Sequence, residues 1–224
     1  MAKAIPVLQR QHSRWLSALE FMLGTAVVLG HNVFHKVPNE VPILFVVGLV
    51  SLHWRDGLKN VGFAGPKSWK ITVGIALAAA ALRIVLGDVV VEPLLNRIWP
   101  PIKAPKGMEQ IHASWQQALL WLGIIWTFAA FGEEISYRGY LLTRTADLGK
   151  RTTLAYWLAV IATSILFGYG HYYKGPVGIV DSGVAGLILG TAYMLNGRNL
   201  WTTILAHGFI DTFGVLAVLM GWAS

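Results

Sequence analysis

The chain of 224 residues contains no cysteine and few charged residues. The absence of cysteine excludes a disulfide framework, a thiolate nucleophile and any zinc site with cysteine ligands. Charged residues make up 13% of the chain, about half of what a soluble domain carries. Hydrophobic residues make up 55%, and the mean hydropathy is +0.55. These values argue against an ordinary soluble domain and predict an all-α polytopic membrane protein.

Seven apolar stretches approach the ~20 residues that an α-helix needs to cross the hydrocarbon core. They predict a transmembrane helical bundle of about seven spans, at about 15–31, 39–54, 71–91, 113–142, 153–171, 177–195 and 200–222. Pro93, Pro100 and Pro101 predict a loop or an interfacial turn over 88–102. No repeat, low-complexity tract or long linker divides the chain, so residues 1–224 are expected to form a single membrane-embedded domain.

Basic residues flank the apolar stretches, so the net charge of +7 indicates membrane topology and not nucleic-acid binding. Eleven Lys and Arg residues fall in the alternate connections that include the N-terminal segment, and five fall in the others. The positive-inside rule therefore predicts a multi-pass protein of the cell membrane with a cytoplasmic N-terminus. No convincing small-residue cleavage site follows the first apolar run, which is interpreted as a retained span.

Several ionisable residues interrupt the later apolar stretches. Each costs a few kcal/mol in hydrocarbon on insertion scales, so a chain that carries several of them is expected to use them for chemistry or transport. They are Glu133, Glu134, Arg138, His171, His207 and Asp211.

The spacing of the first three residues suggests a division of roles. Glu134 and Arg138 are four residues apart, so on a helix they share a face and can form an ion pair. Glu133 is rotated from Glu134 by about 100° and points elsewhere. Arg138 would neutralise Glu134 and leave Glu133 free to act as a general base. A purely structural ion pair that fixes helix packing explains Glu134 and Arg138 equally well.

The histidines are less specific when each is taken alone. His207 and Asp211 are four residues apart, so the carboxylate can orient the imidazole, or both can bind one ligand. His171 could be an ordinary interfacial residue. Counting ~1.5 Å per helical residue places it nearer the outer end of its span than Glu133 and His207. Convergence would require its helix to tilt, shift or break near Gly168 and Gly170.

Together these residues resemble a known family pattern. Glu133-Glu134-x-x-x-Arg138, Phe167-x-x-x-His171 and His207-x-x-x-Asp211 are similar to the EExxxR, FxxxH and HxxxN/D motifs of the CPBP family of intramembrane proteases. That family includes the CAAX prenyl endopeptidases of the Rce1 type and the bacterial Abi proteins. The resemblance covers about 113–215, the expected catalytic core.

The resemblance implies hydrolysis of a peptide bond inside the membrane. It assigns the activation of water to Glu133 with His171, and the stabilisation of the oxyanion to His207 with Asp211. The implied partner is a peptide or protein substrate, either lipid-modified or membrane-anchored, in contact with membrane lipids. No nucleic acid is expected.

Several alternatives remain open at this stage. Ionised Asp cannot donate a hydrogen bond to an oxyanion, so either His207 donates or Asp211 is protonated. Zn²⁺ could be held by Glu133, His171 and His207; we prefer a glutamate-type mechanism without a cofactor. From other functional classes, a proton-coupled transporter or a non-catalytic binding protein would use the same residues, although no inverted repeat favours transport.

Overall fold

The computed structural model describes residues 13–100, 111 and 114–222. Within these ranges the chain forms seven helices and no strand. They are α1 (Arg14–Asn32), α2 (Glu40–Arg55), α3 (Trp69–Leu95), α4 (Trp115–Leu148), α5 (Thr153–Tyr169), α6 (Gly175–Leu195) and α7 (Leu200–Leu219). Short 3₁₀ turns lie at Leu58–Val61 and Tyr172–Lys174.

Four of these helices are long and apolar enough to cross a membrane: α3, α4, α6 with its preceding turn, and α7. Helix α5 is apolar but shorter. Helices α1 and α2 have 19 and 16 residues. The prediction of an all-α membrane bundle is therefore confirmed, and a count of about seven spans is roughly consistent with the structure. Lys3 and Arg10, on which the predicted orientation partly depends, lie outside the described residues.

Polar residues at the helix starts explain why most helices begin where they do. A Ser, Thr or Asn side chain accepts a hydrogen bond from a backbone N–H of the first turn, which would otherwise lack a partner. These caps are Ser13, Asn39, Ser68, Ser114, Thr152 and Asn199.

The predicted loop or turn over 88–102 is wrong in its first part, because α3 continues to Leu95. Pro93, which has no backbone N–H, lies in the short α-helical segment Glu92–Leu95 that ends α3. A π-helical turn at Gly87–Val91 precedes it and changes the hydrogen-bond register of the helix. Pro100 lies beyond the helix, and Pro101 falls outside the described residues.

Helices α5 and α6 approach each other closely through glycines. A Cβ atom added at Gly190 would lie 2.6 Å from Val160 Cγ1, and one at Gly168 would lie 2.4 Å from the carbonyl oxygen of Ile179. No side chain fits in these places, so glycine allows the two backbones to pack together. This contact fixes the end of α5 against the first half of α6.

An ionic cluster joins α1, the end of α2 and the end of α4 at one end of the bundle. Arg144 on α4 is fully buried and lies 2.6 Å from Glu20, 2.8 Å from Asp56 and 3.1 Å from Asp147. Arg55 and Arg151 complete the cluster, so three guanidinium groups face three carboxylates. We call these six residues the Arg144 cluster. It attaches α1 and α2 to α4.

Candidate active site

The middle of α4 is wound as a π-helix. The π-helical segments are Ile125–Glu133 and Ile135–Leu141, so they adjoin Glu134 on both sides. Backbone hydrogen bonds in a π-helix reach five residues back, and such segments are frequent at functional sites. The Ser136 hydroxyl donates to the Gly132 carbonyl over 2.8 Å, and the Thr127 hydroxyl donates to the Gly123 carbonyl over the same distance. These contacts satisfy carbonyls one α-helical turn back.

Glu134 is the centre of a buried polar chain. Its side chain is fully buried, and its Oε1 atom accepts from Arg138 Nη1 over 2.7 Å and from His207 Nδ1 over 2.8 Å. Arg138 also donates to the Gly186 carbonyl over 3.3 Å and lies 4.5 Å above the ring centre of Phe167. The i,i+4 ion pair expected from the sequence is present. Through the contacts with Phe167, Gly186 and His207, this ion pair connects α4 with α5, α6 and α7.

His207 has two carboxylate neighbours at different distances. Its Nδ1 atom must carry a hydrogen to bond the ionised Glu134 carboxylate, which only accepts. Its Nε2 atom lies 3.5 Å from Asp211 Oδ2, which is longer than a good hydrogen bond. The sequence pairs His207 with Asp211, but in this structure the closer partner of the ring is Glu134. Asp211 is more accessible, with 27% of its side chain exposed.

His171 follows the end of α5 and is not part of the helix. Its Nδ1 atom lies 3.0 Å from the Phe167 carbonyl oxygen, so Nδ1 carries the hydrogen and Nε2 presents a lone pair. The Phe167 ring lies 4.8 Å from the His171 ring and 6.1 Å from the His207 ring, measured between centres. The Phe167 side chain therefore lies close to both imidazoles.

Glu133 has an unsatisfied atom at the same place. Its Oε2 atom is buried and, like the Oε2 atom of Glu134, has no hydrogen-bond partner among the described residues. The charged groups close enough to influence it include His207, Asp211, Glu134 and Lys174. A buried carboxylate oxygen without a partner is costly, so it is expected to bind a water molecule or a substrate group.

A metal site is the alternative use of these residues. Among the residues that the structure describes, no group of three or more His, Asp or Glu side chains could hold a metal ion. The mechanism below is therefore derived without a metal.

Sequence reasoning missed two residues that shape this site. The Trp126 ring packs against Gly208, where an added Cβ would lie 2.4 Å from the indole, and its Nε1 donates to the Thr212 hydroxyl over 3.1 Å. The Tyr137 hydroxyl would lie 2.7 Å from a Cβ atom at Gly170. The signal in the sequence was Gly170 and Gly208, because a glycine within a predicted span indicates the close approach of a neighbouring group.

Residues 115–213 match the model of a family described as type II CAAX prenyl endopeptidase Rce1-like. No curated protein and no solved structure gave a significant match. The matched region contains all six predicted site residues. The family implies an intramembrane CAAX-type endopeptidase, and the apolar helices agree with a membrane protein. The resemblance of this chain to the Rce1-like family is therefore confirmed over residues 115–213.

Proposed function

We propose that the protein is a glutamate-type intramembrane endopeptidase in which Glu133 and His171 activate water and His207 stabilises the oxyanion. The observation that carries this proposal is the unsatisfied Oε2 atom of Glu133 beside a buried chain of ionisable groups. A structural ion pair explains Arg138 and Glu134, but it does not explain why the Oε2 atom of Glu133 is buried.

In the first step, a water molecule held near Glu133 Oε2 and His171 Nε2 attacks the carbonyl carbon of the scissile bond. Glu133 accepts the proton of this water, and the electron pair of the C=O bond moves to the oxygen. His171 Nε2 accepts a hydrogen bond from the same water, because its Nδ1 hydrogen is directed at the Phe167 carbonyl. The ring is thereby held in one tautomer.

In the second step, the tetrahedral intermediate collapses. The oxyanion re-forms the C=O bond, the C–N bond breaks, and the departing amine takes the proton from Glu133. His207 stabilises the negative charge by donating from Nε2 in its protonated form. Glu134 holds the ring through Nδ1, and Asp211 lies on the Nε2 side.

The substrate must offer an extended backbone, because a helix hides its carbonyls from attack. We propose a peptide or protein whose cleaved segment is lipid-modified or membrane-anchored, in keeping with the family description. We place the enzyme in the cell membrane with its N-terminus in the cytoplasm, on the basis of the distribution of Lys and Arg.

The proposal is tested with Glu133→Gln in purified protein and a farnesylated CAAX peptide. Loss of the general base is expected to lower kcat/KM by about 10²- to 10⁴-fold, while the unfolding temperature stays close to that of the native protein. Glu92→Gln, which changes an exposed carboxylate on α3, is the matched control. Full activity of Glu133→Gln would contradict the proposal.

A chelator series separates the two hydrolytic mechanisms. We expect activity to survive prolonged treatment with a strong zinc chelator, because the described residues form no three-ligand group. Loss of activity that only Zn²⁺ restores would overturn the metal-free mechanism and leave the peptidase assignment intact.

A further inference from the structure

A polar cavity of about 400 Å³ lies at one end of the bundle, apart from the candidate active site. It lies between two connections: residues 59–67, which lead from α2 to α3, and residues 195–199, which lead from α6 to α7. Its floor includes the hydroxyl-bearing residues Thr143, Tyr156 and Tyr193, all three of which are buried. His207 lies seven residues beyond the start of α7, about 10 Å along the helix.

The charges around this cavity are all of one sign. Lys59, Lys67 and Arg198 line it, and none of the described residues that line it is acidic. The three side chains are exposed and form no ion pair with the described residues. The neighbouring Arg144 cluster is different, because each of its guanidinium groups faces carboxylates. Three cations without counter-charges around a concave polar surface attract an anion.

Arg198 is held in a position suited to anion binding. Its guanidinium lies 4.5 Å above the Tyr156 ring, so one planar face is occupied and the N–H groups at the edge remain available. The residue has a φ of 65°, a left-handed conformation that non-glycine residues rarely adopt. Such backbone conformations persist where the surrounding structure enforces them.

The two connections are also fixed to each other. The Leu200 N–H donates to the Gly62 carbonyl over 3.0 Å, and the Asn199 amide donates to the Ala64 carbonyl over 3.0 Å. Gly62 has a φ of 101°, which only glycine adopts readily. The cavity wall is therefore formed before any ligand arrives, which lowers the entropic cost of binding.

Two tryptophans locate the cavity with respect to the membrane. Trp69 at the start of α3 and Trp201 at the start of α7 lie 6.0 Å apart between ring centres, beside the cavity. Tryptophan favours the headgroup level, because its ring is apolar and its N–H needs a polar partner. The cavity is thus at the depth of lipid phosphates.

We propose that this cavity binds a phosphate-bearing anion at the membrane surface, through Lys59, Lys67 and Arg198 at its rim and the hydroxyl groups of its floor. A phosphate offers several acceptor oxygens, which match the donor-rich lining and the forked geometry of arginine. Two sources carry this chemistry: the headgroup of an anionic phospholipid and a soluble phosphate.

Binding is measured by titrating the full chain in neutral detergent with three probes: short-chain phosphatidylglycerol, its phosphatidylcholine counterpart and inorganic phosphate. We expect phosphatidylglycerol to bind more tightly than phosphatidylcholine. Each lost cation should weaken that binding by about fivefold. Arg198→Gln removes one cation, and the double variant Lys59→Gln/Lys67→Gln removes two, so the losses in the double variant should multiply. Lys70→Gln removes an exposed lysine at the same end of the bundle but outside the cavity lining, and it should change binding by less than about twofold.

The three probes also distinguish the sources. Binding of phosphatidylglycerol alone identifies a lipid site, and equally tight binding of inorganic phosphate identifies a soluble anion; both support the proposal. The proposal is overturned if phosphatidylglycerol and phosphate bind no better than phosphatidylcholine. It is also overturned if Lys70→Gln loses as much affinity as the cavity variants. Failure here leaves the proposed peptidase activity untouched, because none of these residues belongs to the candidate active site.

Discussion

At the scale of single residues, the shared Oε1 atom of Glu134 is the most consequential contact. One carboxylate oxygen accepts hydrogen bonds from both Arg138 and His207 inside a fully buried environment. Breaking a buried ion pair on one side leaves an uncompensated charge and costs about 3–5 kcal/mol. Glu134 therefore stabilises the fold and positions the His207 ring at the same time.

These two roles can be separated with a double variant. Glu134→Gln and Arg138→Gln are each expected to lower the unfolding free energy by about 3–5 kcal/mol. The double variant should recover much of that loss, because no buried charge remains unpaired. It should nevertheless lack activity, since His207 has lost its ionised partner. Unfolding in detergent and kcat/KM are measured on the same preparations; recovery of activity along with stability would reduce Glu134 to a structural role.

Asp211 and His207 are expected to differ in importance. Asp211 lies 3.5 Å from His207 Nε2 and is partly exposed, whereas His207 is buried and closely bonded. Asp211→Asn should therefore lower kcat/KM only modestly, because the amide can still donate to an oxyanion. His207→Gln should cost about 10²- to 10³-fold, the usual loss for one oxyanion donor. The reverse order of effects would make Asp211 the principal group.

At the scale of secondary structure, the sequence predicted helices better than it predicted their internal geometry. The apolar stretches located all seven helices, because the length needed to cross the membrane is set by the bilayer. The π-helical winding around Glu134 was not predicted, since it depends on hydroxyl and backbone contacts at Thr127 and Ser136 that hydropathy does not report. The continuation of α3 through Pro93 was missed for a similar reason.

The candidate site was predictable as a set of residues but not as a set of contacts. Spacing of four residues indicated the Glu134–Arg138 pair, because local helical geometry controls it. The His207–Glu134 bond joins residues 73 positions apart, and only the packing of α7 on α4 creates it. Helix α5 ends at Tyr169, between Gly168 and Gly170, where a break was one of three alternatives (tilt, shift or break) for bringing His171 to the site.

The junction of α5 and α6 offers a matched pair of glycine variants. Gly168→Ala would place a methyl group 2.4 Å from the backbone oxygen of Ile179, which cannot rotate away. We expect a loss of about 1–3 kcal/mol in unfolding free energy, together with reduced activity, since His171 follows three residues later. Gly183→Ala, whose methyl group would lie 3.6 Å from the Ser164 oxygen, should be nearly neutral. Equal effects of the two variants on unfolding and turnover would argue against this packing.

At the scale of the whole molecule, the Arg144 cluster connects the region before residue 100 with the family-like region. Arg144 and Asp147 lie on α4, whereas Glu20 and Asp56 come from the first part of the chain. Three positive and three negative groups share the buried end of the bundle, so removal of one leaves an imbalance. The cluster therefore fixes α1 and α2 against the end of α4, the helix that carries Glu133 and Glu134.

Arg144→Met is expected to destabilise the protein by about 3–5 kcal/mol, because carboxylates of the cluster lose a buried partner. Lys150→Met removes an exposed cation at the same end of α4 and should change the unfolding free energy by less than about 0.5 kcal/mol. Chemical unfolding in mixed micelles provides the measurement. A stable Arg144→Met variant would show that Arg55 and Arg151 are sufficient to compensate these carboxylates.

The same cluster sets the smallest piece of the protein that can be expected to work alone. A polypeptide starting at Trp115 would retain every residue that we assign to hydrolysis, yet its buried Arg144 would lack Glu20 and Asp56 as partners. Exchanging the first two helices for those of another protein would have the same result, unless the new helices carried acidic groups at the positions of Glu20 and Asp56. The peptidase motifs are therefore not a transplantable module, and their minimal unit extends well upstream of the motifs themselves.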